Sequence, residues 1–176
     1  MTLLRLSKGK NDMCNIHDFM HYSNVVSKSY LVPKDQSDLA IQDFLAETFG
    51  LGLKCVSLPF LTIDILEKDM LRICIYASIN EDSPVLPADM HFDSYFAVEN
   101  MASICVTGDV QNNMSDAYVK LYDFLKEESR QAITPAFHIM GGDQSLQYVI
   151  VKVGYAASVS SAVTASTNND KYEFVK

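Results

Sequence analysis

A chain of 176 residues with 14 Lys plus Arg against 22 Asp plus Glu carries a formal charge of −8, and the absence of a dense basic run after Lys10 excludes a surface that tracks nucleic-acid phosphates. Apolar residues make up 48% and charged residues 20%, a balance that excludes a disordered chain and fits one domain with a substantial core. No apolar run reaches the roughly 18 residues of a membrane helix, and residues 1–15 contain no signal-peptide core, so a cytoplasmic protein without a membrane partner is expected.

Residues 1–21 read as an N-terminal extension. Within it His17 and His21 are spaced four apart, but the segment lacks helical periodicity and a third ligand, so no metal site is expected. Residues 24–32 are strand-like. Ser37-Asp38 then opens a helix over 36–49, because a side-chain oxygen there accepts a free first-turn N–H. Leu39, Ile41, Phe44, Leu45 and Phe49 give that helix its apolar surface, and Gly50 and Gly52 stop it. After Pro59-Phe60, residues 61–65, a charged turn at Glu67-Lys68-Asp69 and residues 71–76 make a β-hairpin.

Ser83-Pro84 and Leu86-Pro87-Ala88 form a loop, and residues 92–98 a further strand. Residues 102–107 are strand-like again, and Ser115-Asp116 caps a second helix over 114–129 with Ala117, Tyr118, Leu121, Phe124 and Leu125 on its apolar side. Residues 135–140, a turn at Gly141-Gly142-Asp143 and residues 146–151 form the closing hairpin. Residues 156–176 read as a flexible polar tail. The cysteines Cys14, Cys55, Cys74 and Cys105 form no C-x-x-C pair; Cys74 and Cys105, inside strand-like runs, read as buried thiols.

The same order thus occurs twice, and Asp43-Phe44-Leu45-Ala46-Glu47 recurs as Asp123-Phe124-Leu125-Lys126-Glu127. The expected fold is α+β: duplicated β-α-β-β halves, about residues 22–80 and 92–155 of one domain over 22–155. They are related by pseudo-twofold symmetry, with antiparallel sheets and two main helices around a cleft.

The duplicated order, the segment Phe92-Asp93-Ser94-Tyr95-Phe96-Ala97-Val98, the second helix around Tyr118 to Leu125 and the closing hairpin resemble the GyrI-like family. This is the effector-binding domain that also serves multidrug-sensing regulators of the MerR and AraC types. The resemblance implies an aromatic cleft between the halves that binds bulky, often cationic compounds, with an acidic residue in the closing hairpin in a pattern like aromatic-Glu-x-Tyr. In Phe137-His138-Ile139-Met140, His138 stands in the place of the Glu and Met140 in the place of the Tyr. A neutral imidazole keeps one donor and one acceptor but gives up the attraction for a cation, while Met still fills against an aromatic ligand. Tyr118 and Tyr122, four apart on one helix, and Tyr76, Tyr95 and Tyr148 in strand-like runs are the other candidate lining residues.

The expected function is a stand-alone small-molecule binding protein for apolar or aromatic compounds, a sensor or a sequestering protein in transcription regulation or drug response. The residues before the first strand are too few for a helix-turn-helix, so direct DNA contact is not expected. A protein partner, as for gyrase inhibitors of the family, is compatible with the acidic charge. The alternative is a hydrolase of strained small molecules, as some GyrI-like proteins are; that chemistry relies on the Glu that His138 replaces, and no catalytic set is identifiable. Haem ligation by His91 or His138, in the manner of the related SOUL fold, has no sequence feature in its favour, and no cofactor is expected.

Overall fold

The computed structural model describes residues 14–66, 69–143 and 146–158. Its strands are β1 (Asn15–Pro33), β2 (Phe60–Ile65), β3 (Met70–Ser78), β4 (Met90–Thr107), β5 (Arg130–Gly142) and β6 (Gln147–Ala157), with α1 (Ser37–Gly50) after β1 and α2 (Val110–Glu127) after β4. All pairings are antiparallel, and the strands close a barrel in the order β1-β3-β2-β5-β6-β4.

Alternation along the strands separates three cores. Leu71, Ile73, Ile75 and Ala77 of β3 turn outward to meet Ala40 and Phe44 of α1. Val149, Val151 and Val153 of β6 do the same against Ala117, Leu121 and Leu125 of α2. The opposite faces fill the barrel with Met20, Val25, Phe60, Met101, Phe137 and Ile139, ringed by Tyr22, Tyr76 and Phe96. Phe60 is fully buried, with the rings of Tyr22 and Tyr76 stacked at 5.0 and 4.9 Å. A partly buried ion pair is formed by Lys152, whose Nζ lies 2.9 Å from Asp18 Oδ1 and also donates to the Phe19 carbonyl. Burial works to raise the Asp18 carboxyl, but hydrogen bonds from Lys152, Ser103 and the Phe19 backbone, with the Lys152 charge, hold it below its ordinary value.

Several expectations are corrected here. The strand before α1 begins at Asn15, so residues 15–21 belong to the barrel and not to an extension. The two strands expected around 92–98 and 102–107 are one, β4, carried through Asn100 by a left-handed φ of 52°. Asn24 bends β1 in the same way at φ 53°, and each bend resets which residues face inward. α2 starts at Val110 because Asp109 accepts from Asn112 N, which leaves Ser115-Asp116 inside the helix. α1 has no side-chain cap, and its apolar surface is divided: Ala40, Phe44 and Thr48 are buried, whereas Leu39, Leu45 and Phe49 are exposed. Lys28 instead ties α1 to the barrel through Glu47, with Asp89 on its other side. Cys105 is exposed and Cys74 half-buried, and no disulfide joins any of the four cysteines. The Glu67-Lys68 turn and the tail beyond Ser158 lie outside the described residues.

Candidate functional site

β2 and β5 meet through three residue pairs, Phe60 with Ile139, Leu61 with His138 and Thr62 with Phe137. On one face of this seam Phe60, Phe137 and Ile139 enter the barrel. On the other, Leu61 packs toward α1, His138 turns to α2, and Met140 touches the cores under both helices.

Beyond the seam the chain before β2 is no longer a strand, and the end of β5 is left open on that side. There Leu58, Val110, Met140, Tyr148 and Val149, with the polar Asp143 and Gln147, border an open cleft of about 620 Å³, within the size range of small-molecule pockets, roughly 300–1,000 Å³. Gly141 permits its shape. A Cβ at this position would stand 2.5 Å from Tyr148 Oη, so only glycine lets the tyrosine ring lie across β5.

His138 is 6% exposed. Its Nδ1 lies 3.3 Å from the Leu61 carbonyl, and its Nε2 is hydrogen-bonded to the Tyr118 hydroxyl. Burial pushes the imidazole below its ordinary value of 6.5, only partly offset by the Leu61 carbonyl. Burial, with the neighbouring Tyr122, pushes the Tyr118 hydroxyl up to about 12. A carbonyl can only accept, so Nδ1 carries the proton; the neutral ring then leaves Nε2 to accept from Tyr118.

The sequence-predicted residues therefore divide. His138, Met140, Tyr118 and Tyr122 share the helix side, with the Tyr118 and Tyr122 rings stacked at 6.4 Å, and Tyr148 reaches the cleft around the open edge of β5. Tyr76 and Tyr95 are not part of this group. Tyr76 pairs with Phe60 and shares its inward face. Tyr95 is 61% exposed, beside His21. Sequence reasoning missed Leu58, Leu61 and Val110. The first two were hidden by a loop and a seam partner; Val110 lies four and eight residues before Met114 and Tyr118, a helical spacing that could have found it. Among the described residues no three His, Cys, Asp or Glu side chains gather as a metal site, and no helix is long and apolar enough to cross a membrane.

Barrel and helices together define an α+β fold like that of the C-terminal domain of EcmrR. That crystal structure matches with a TM-score of 0.67 at 12% identity, over 83% of this chain and 98% of that one. EcmrR in its cryo-EM complex with DNA matches with a TM-score of 0.68 at 13% identity over 83% of this chain, which spans 58% of that longer one. A hydrolase from Listeria innocua matches with a TM-score of 0.58 at 8% identity, over 86% and 94% of the two chains. At such identities the likeness is one of fold. No curated protein sequence matches. Over residues 21–156 the chain belongs to the family DUF5085, a domain of unknown function.

Proposed function

We propose that this chain is an effector-binding domain of the GyrI-like type, two β-α-β-β halves that receive a neutral apolar or aromatic molecule on the helix side of their seam. The observation that carries the reading is the buried His138, which shares one face of β5 with Met140 on the cleft floor. Val110, Met114, Tyr118 and Tyr122 follow at four-residue intervals along α2, a stripe that starts at the cleft and runs roughly 12 Å to Tyr118, over His138.

Duplication is supported by the strand orders β1-β3-β2 and β4-β6-β5 and by the left-handed Asn24 and Asn100. Each asparagine is followed three residues later by a buried serine, Ser27 and Ser103. The likeness to EcmrR, solved in complex with DNA, supports a sensor that reports to a regulatory partner. A sequestering role uses the same cleft. Among the described residues the hydrolase reading finds no carboxylate on His138: its partners are Tyr118 and the Leu61 carbonyl.

A buried carboxylate can favour a cation about a hundredfold; among the described residues none is hydrogen-bonded to His138, and Asp143 at the cleft rim is exposed to solvent. A thermal-shift panel of matched neutral and cationic dyes should favour the neutral members on wild type and shift toward the cations on His138→Glu. A wild-type preference for the cations, or an unchanged preference in the variant, overturns this reading.

A further inference from the structure

We propose that the cleft takes its ligand as one more strand of the sheet: a neutral compound that holds an extended amino-acid residue between two amides and donates its N–H to the Met140 carbonyl. This role depends on the cleft being the binding site proposed above.

The open edge of β5 follows from its register. Asp143 N donates to the Leu146 carbonyl at 3.0 Å, so those two residues form a hydrogen-bonded pair. The β5–β6 register runs unshifted from Ala136–Val153 to Gly142–Gln147, and bonded and non-bonded pairs alternate along an antiparallel ladder. Gly141–Tyr148 and Ile139–Ile150 are then bonded pairs. His138, Met140 and Gly142 turn their N–H and C=O groups the other way, toward β2.

Leu61 stands opposite His138 on that side, and continuing the same register sets Pro59 against Met140. Proline has no N–H to give the Met140 carbonyl, and β2 begins only at Phe60. Among the described residues no backbone hydrogen bond joins Met140 or Gly142 to the chain before β2. The cleft occupies this unfilled strand position. Met140, Gly141 and Gly142 all line it, and the two glycines can do so only with backbone.

An edge residue presents its N–H and C=O together, and a single residue with its own N–H and C=O on one side answers both. Directly opposed residues carry their side chains on the same face. The ligand's side chain therefore lies beside that of Met140, on the helix face where Val110 and Val149 supply apolar wall. Replacing the ligand N–H by an ester oxygen sets acceptor against acceptor at Met140, as Pro59 leaves it. The loss of that one neutral hydrogen bond is worth roughly fivefold to tenfold in affinity.

The test is calorimetric titration with N-acetylphenylalanine N-methylamide and its analogue in which the acetamide N–H is an ester oxygen. The proteins are wild type, Met140→Ala and Met140→Pro, and a neutral dye from the panel above is titrated alongside as competitor. Wild type should prefer the amide by that factor, and the dye should displace it. Met140→Ala should weaken both compounds and keep their ratio. Met140→Pro removes in addition the N–H that meets the ligand carbonyl, at an edge where no ladder bond is lost, so both compounds should bind it more weakly than Met140→Ala. Equal affinities on wild type, no binding of the amide where the dye binds, or equal binding by the two variants overturns the edge pairing and leaves the cleft standing. A dye that does not bind overturns the cleft reading and this role with it. If Met140→Pro does not fold, hydrogen exchange decides: the Met140 amide should exchange freely in wild type and become protected with the amide bound, and unchanged exchange overturns the pairing.

Discussion

Leu61 and His138 face one another across the β2–β5 seam, and the Leu61 carbonyl accepts from His138 Nδ1 at 3.3 Å. Because burial lowers the folded imidazole below 6.5, the unfolded chain takes up the proton first as the pH falls. The stability owed to neutral His138 is complete above the unfolded value and is lost as the pH drops through it toward the folded one. Between about pH 7.5 and about pH 5.5 the wild-type melting temperature should therefore fall more steeply than that of His138→Gln. Parallel slopes would show that His138 does not titrate as its burial requires.

Gly141 and Tyr148 form a second testable pair. The ring occupies the space that a Cβ at 141 would need, 2.5 Å from Oη and 2.7 Å from Cε2. Gly141→Ala should cost about 1–3 kcal/mol by forcing the ring aside. Combined with Tyr148→Ala the two costs should sum to less than their separate values, since the clash has gone. Urea unfolding of the four proteins measures this, and strict additivity would place the ring elsewhere.

Phe60, fully buried between Tyr22 and Tyr76, should be the costliest single truncation in the barrel. Phe60→Ala removes both stacking partners' surface at once, and about 3–5 kcal/mol is expected. Tyr95→Ala, at an exposed position, should stay within about 0.5 kcal/mol. Similar costs for the two would contradict the inward assignment of β2.

Lys152→Met strands the Asp18 carboxylate, which is only partly screened by solvent. The loss should be about 1–3 kcal/mol near neutral pH. The Asp18 value is lowered in the fold, so the pair stabilises above the unfolded value of 3.8 and fades as the pH falls through the folded one. The deficit of the variant should shrink in acid; a deficit constant with pH would mean that packing, not charge, is lost.

The helices and both hairpins were legible because each is a local pattern, an apolar spacing or a polar break, although neither expected cap forms: Ser37-Asp38 caps nothing and Ser115-Asp116 lies inside α2. The inward or outward direction of each strand was not. Asn24 and Asn100 reset the alternation along β1 and β4, and Tyr76 and Tyr95, both in strand-like runs, lie on opposite sides of the wall, Tyr76 against the inner core and Tyr95 exposed. Asp18 and Lys152 are 134 positions apart, and nothing local marks them as partners. His138 was legible as a departure from a motif, but its proton position depends on a carbonyl 77 residues away, which no spacing announces.

The seam of three pairs has a further meaning. β1 and β4 run side by side from Asn15 to Lys28 on the β1 side, and β5 follows β6 along most of its length. A hoop opens where its ladder is shortest, so the amides of 60–62 and 137–139 are where closure of this ring is weakest. α1 rides on one side of that line and α2 on the other. On the function proposed above, a molecule held against α2 and the seam, and a partner gripping both helices, would act on one clasp, and a signal would leave the domain as tighter or looser closure while each half stays folded.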